Sequence, residues 1–109
     1  MLADKVRGIL AEVPEVSERK MFGGVAFMVS NNMALGILGD ELMVRIGAEA
    51  WAQALGEPGV QEMDFTGRSM RGFVVVGAEL LEVDARLEAW VERGVSFAES
   101  LPPKEAKAG

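Results

Sequence analysis

The chain has 109 residues, half of them hydrophobic and 26% charged, with 11 Lys and Arg against 17 Asp and Glu for a net charge of −6. That length and balance fit one globular domain with its own core. The sequence holds no cysteine, histidine or tyrosine, which excludes disulfides, thiolate metal sites and the Ser-His-Asp and Cys-His nucleophile systems.

In chain order, Val6, Ile9, Leu10 and Val13 recur at helical spacing among Asp4, Lys5, Arg7 and Glu12, predicting a helix over 3–13 that Pro14 closes. Three strand-like runs follow: 24–29, 33–38 (MALGIL) and 41–46 (ELMVRI). Asn31-Asn32 and Gly39-Asp40 are the short turns between them, so the three form an antiparallel meander. Gly47 breaks the pattern, and the alanine-rich 48–55 predicts a short helix. Beyond the GEPG loop, QEMDFT (61–66) alternates polar and apolar residues as a half-exposed strand does. GRSMRG reads as a turn or bulged link, and FVVVG (73–77) as a β-branched strand. A last helix starts near Asp84, a good N-cap residue, with Leu87, Trp90, Val91, Val95 and Ala98 on one face. The prolines of SLPPK stop it, leaving a domain over 1–104 and a short tail over 105–109. The order α-β-β-β-α-β-β-α does not alternate one to one. It therefore predicts an α+β domain: a mostly antiparallel five-stranded sheet with helices on one face.

Few residues stand out chemically. The pair Gly23-Gly24 sits at the head of a strand, where glycine marks a bulge or bend, or leaves backbone bare for a partner. Neither the spacing nor the position of a phosphate loop or dinucleotide motif is present. Arg45 interrupts an apolar strand: alternation places Leu42, Val44 and Ile46 on one face and Met43 and Arg45 on the other, as a solvated arginine or a carboxylate contact. Arg68 and Arg71 flank Ser69-Met70. Together with Arg19, Lys20 and Arg45 they are candidates for one basic patch. Of the seven methionines, Met28 reads as core, whereas Met21, Met43 and Met70 are candidates for the surface. Glu62 and Asp64 share a strand face but have no evident orienting partner, which favours solubilising charge over acid–base chemistry. Trp51 and Trp90 lie on helices among apolar neighbours and are expected in the core.

Several of these stretches carry a resemblance. RKMFGGVAFMV (19–29), LMVRIG (42–47), SMRGFVVV (69–76), the Trp90 helix and SLPPK (100–104) resemble, in order and over nearly the whole chain, the TfoX N-terminal domain family. This is the amino-terminal module of the TfoX/Sxy competence regulators. The resemblance implies a fold of the secretion-chaperone kind, with helix, three strands, helix, two strands, helix, and it implies no enzymatic activity. Members that promote competence carry a second, helical C-terminal domain outside the stretch matched here.

The function expected is a non-enzymatic regulatory module that binds another protein. Its candidate surface is Arg19, Lys20, Met21, Phe22, Gly23, Gly24, Arg45, Arg68, Met70 and Arg71. No cofactor and no metal ion is expected. Two alternatives are a small anion- or metabolite-binding domain, or an enzyme, with an arginine-lined pocket, and a DNA-associated regulator. The acidic balance argues against direct nucleic-acid binding. Self-pairing across a two-fold axis is a further expectation for an exposed sheet face or edge. The N-terminus is too charged for a signal peptide, and no run reaches the roughly 20 apolar residues of a membrane span, so the sequence reads as soluble and cytoplasmic.

Overall fold

The computed structural model describes residues 2–21, 23–65 and 68–103. The side chains of Met21, Phe65, Arg68 and Ser69 lie outside that description. Helix α1 (Leu2–Ile9) runs into a 3-10 turn, Leu10–Glu12. Four strands follow, β1 (Val16–Met21), β2 (Gly24–Val29), β3 (Asn32–Leu38) and β4 (Glu41–Arg45). Next come α2 (Ala48–Leu55), β5 (Val60–Phe65), β6 (Arg68–Val76), the one-turn α3 (Ala78–Leu81) and the long α4 (Asp84–Ser100). The strands form one antiparallel sheet in the order β1-β2-β3-β4-β6-β5. The α+β class and the helix-covered face stand as expected from the sequence.

The sheet has six strands rather than five, because VSERKM forms β1. Ser17, Glu18, Arg19 and Lys20 are all exposed on it. An outermost strand has a partner on one side only and needs little apolar side chain, so hydrophobic pattern does not reveal it.

Directly opposed residues share a face of an antiparallel sheet. One row runs Glu18–Phe27–Leu35–Val44–Val74–Glu62 across all six strands. Its four apolar members are at most 1% exposed and belong to the single core, with Val6, Leu10, Leu87, Trp90, Val91, Val95 and Ala98 from the helices. Helix α4 lies over β2, β3 and β4, while α2 lies against β6 and β5. The next row, Arg19–Ala26–Gly36–Met43–Val75–Gln61, faces the other way.

The turns show local chemistry at work. The turn expected at Asn31-Asn32 sits one residue earlier: Ser30 and Asn31 take positive φ (49° and 64°), and Asn32 already pairs with Val29. Asn32 is buried, and its side-chain amide donates to the Pro102 carbonyl at 2.9 Å, tying the chain beyond α4 to the sheet. Asp84 is the first residue of α4 and makes no side-chain cap; its carboxylate instead pairs with Lys5 at 3.5 Å.

The two glycines of MFGG do different jobs. Gly23 takes φ +77° in the tight β1–β2 turn, with open space around it. Gly24 begins β2, and a Cβ there would run into the Ile37 backbone carbonyl. A clash with backbone cannot be relieved by a rotamer change. We therefore expect Gly24→Ala to cost about 3 kcal/mol in urea denaturation, and Gly23→Ala about 1 kcal/mol from its left-handed backbone alone.

Candidate functional site

The structure separates the arginines that the sequence grouped. Arg19 and Lys20 stand on β1, at one edge of the sheet. Arg45 is on β4 and Arg71 on β6, toward the far side. Arg68 belongs to β6 through its backbone pairing with Phe65; its side chain, that of Met21 and the whole of Phe22 fall outside the described residues.

Arg45 is a clip rather than a free cation. Its backbone pairs with Phe73, and its guanidinium lies 5.5 Å from the Phe73 ring centroid and 5.4 Å from that of Phe97 on α4. Both distances are within the reach of cation–π attraction. A long hydrogen bond of 3.4 Å runs from Nη1 to the Met33 carbonyl. Arg45 thus joins β3, β6 and α4 and is only half exposed, in place of the solvated residue that strand alternation implied. Trp51 makes a related link, its indole N–H donating to the Phe73 carbonyl at 3.0 Å.

The methionines divide in the same way. Met28 is buried, as expected. Met43, a candidate for the surface, is 2% exposed and packs with Met33 over Gly36 on the sheet face away from the helices. Met70 is half exposed. Glu62 and Asp64 are both exposed on β5, with a register irregularity between them. No set of three or more potential Asp or Glu metal ligands occurs among the described residues.

At the β1 edge, Arg7 of α1 binds Glu18 with two parallel hydrogen bonds of 2.9 Å and also reaches Asp4 at 3.1 Å. The hydrogen bonds from Arg7 hold the Glu18 carboxyl below its ordinary pKa. Glu18 is therefore neutralised from within, whereas among the described residues no carboxylate pairs with Arg19 or Lys20. The edge is left net basic on an acidic protein.

A second feature escaped the sequence. One flank of α4, beside its core face, carries Arg86, Ala89, Arg93, Ser96 and Phe97. Toward α2 it lines a groove of about 650 Å³ with Ile46, Ala50 and Glu92. Toward the loop before β5 it lines one of about 360 Å³ with Glu57, Pro58, Leu80 and Trp90. Ala89 and Arg93 belong to both. The Arg93 guanidinium stacks 4.1 Å from the Trp90 ring centroid and holds Glu57 at 3.1 Å. The signal was present as Arg86-x-x-Ala89-x-x-x-Arg93, a helical stripe outside the apolar face, but its meaning depends on which elements flank α4.

Taken together, these features define a small open-sheet α+β domain with a basic outer strand and an arginine-bearing groove along its longest helix. The chain belongs to the TfoX N-terminal domain family, whose model matches residues 8–98, from within α1 through all six strands and nearly to the end of α4. No curated protein matches it at a significant level.

Two consequences are measurable. Arg45→Ala should lower stability by about 1–2 kcal/mol, whereas Arg71→Ala, at an exposed position, should stay within about 0.5 kcal/mol. The Arg7–Glu18 pair should give a pH signature. Because the native carboxyl titrates below its unfolded value, the pair's contribution is complete above about pH 5 and is lost as pH falls through the native pKa. In parallel urea titrations, the gap between wild type and Glu18→Gln should therefore be constant near neutrality and close on acidification.

Proposed function

We propose that this domain is a non-enzymatic regulatory module, in keeping with a family associated with competence regulators, and that it works by binding another protein along β1. The observation that carries this reading is the open outer edge of β1, with Arg19 and Lys20 unpaired among the described residues and Glu18 already neutralised by Arg7. An edge strand offers a row of backbone donors and acceptors to an added extended segment, and flanking side chains select the sequence that docks. The partner that fits is an extended segment bearing acidic residues. Arg45, engaged by two aromatic rings, has no part in this reading.

Capture from the source cell's lysate tests it, with and without nuclease, using wild type beside a folded Arg19→Glu/Lys20→Glu variant. The expected result is a protein retained by wild type, indifferent to nuclease and lost with the variant. Retention that vanishes with nuclease would shift the function to nucleic acid. Equal retention by both forms would remove β1 from the site.

A further inference from the structure

Independently of the β1 edge, we propose that the outward flank of α4 is a binding site for a small organic acid: one anionic head on an apolar body. Arg86, Ala89, Trp90 and Arg93 stand at i, i+3, i+4 and i+7, so they form a single stripe over two turns. The stripe continues into Ser96 and Phe97. Arg86 and Arg93 therefore flank the smaller groove, which meets the larger one at Ala89 and Arg93; there Ala89, Ala50, Ile46 and Phe97 form an apolar stretch bordered by Ser96 and Glu92.

The volumes, about 650 and 360 Å³, lie within or near the roughly 300–1,000 Å³ typical of small-ligand sites. Both grooves are open to solvent, and their apolar lining is joined by two arginines, two glutamates and a serine.

The charges select the ligand. Among the described residues no carboxylate pairs with Arg86. Arg93 lies over Trp90, 4.1 Å from its ring centroid, and among the described residues gives Glu57 only its Nη1. A guanidinium carries five N–H donors, so the remainder are free for a second carboxylate. Stacking on an indole fixes the direction of this cation before any ligand arrives, which reduces the ordering cost of binding, whereas Glu57 competes with the ligand for it. The neighbouring groove, lined by Asp40, Glu41 and Glu79, has the opposite sign and would repel the same ligand. The head group therefore sits between Arg86 and Arg93, and the body runs past Ala89, whose small side chain leaves the passage open, toward Phe97 and Ile46.

Titration of the 15N-labelled full chain with sodium decanoate and, separately, 1-naphthoate tests this, with neutral 1-naphthamide as control. The expected result is saturable amide shifts at Ala50, Ala89, Arg93 and Phe97. Binding should weaken roughly ten-fold in Arg86→Gln, the loss of one charge-assisted hydrogen bond. It should tighten in Glu57→Gln, which frees Arg93, and stay unchanged in Arg71→Gln. Saturation by decanoate alone would identify an aliphatic acid, and by naphthoate alone an aryl acid. Equal binding of 1-naphthamide, shifts elsewhere on the surface, or no saturable shift with either acid would overturn the proposal.

Discussion

The close approach of α4 to the sheet at Gly94 is the constraint on which the rest of the molecule depends. A Cβ at this position would lie 2.7 Å from both the Ala34 carbonyl oxygen and the Leu35 Cδ2, and 3.2 Å from the Val44 Cγ1. Glycine is costly within a helix, by about 1 kcal/mol relative to alanine. Here that cost is offset because the helix settles directly onto β3 and β4, where Leu35 and Val44 are sealed from water. The depth of that contact sets the height of everything else on α4. Phe97, one turn on, reaches the Arg45 guanidinium and covers Gly47, where a Cβ would strike its ring. Arg93, one residue earlier than Gly94, is turned outward to Glu57.

The same geometry explains why Arg45 and Arg93, both stacked on aromatic rings, have such different prospects. Arg45 lies between rings from β6 and α4 and a backbone carbonyl from β3, so its contacts come from three elements. Any ligand taking its guanidinium would have to compete with the packing of the sheet against α4. Arg93 stacks on one ring of its own helix and shares a single exposed ion pair with Glu57. Exposed pairs of that kind contribute little and exchange readily. A cation that is oriented but weakly committed suits recognition; one that is oriented and fully committed suits architecture.

How much was legible in the sequence follows from what each element needs. Strands β2, β3 and β4 and helices α2 and α4 bury apolar side chains, so their period shows. Strand β1 and helix α3 do not announce themselves: one is a polar edge held by backbone pairing, the other a single turn between β6 and α4. GRSMRG, read as a turn or bulged link, is strand from Arg68 onward: β6 runs through it, with Gly72 at φ +93° and its carbonyl accepting from both Ile46 and Gly47. The fold class was legible for the same reason: it rests on the buried rows. The location of free charge was not. Arg19, Arg45, Arg71, Arg86 and Arg93 look alike as letters, and only the neighbours supplied by distant elements decide which are spent on packing.

Net charge is a poor guide to partners in such a molecule. A charge of −6 argues against binding to polyanions through bulk attraction. However, screening at physiological ionic strength limits exposed charges to a range of about 8 Å. The sheet edge and the α4 flank therefore each present their own local field. At β1 that field exists because α1 supplies Arg7 to silence Glu18 while leaving Arg19 and Lys20 exposed. Helix α1 is itself tied to α4 through Lys5 and Asp84. The cations of α1 thus go into internal pairing, and at β1 that pairing leaves exposed positive charge on an acidic domain.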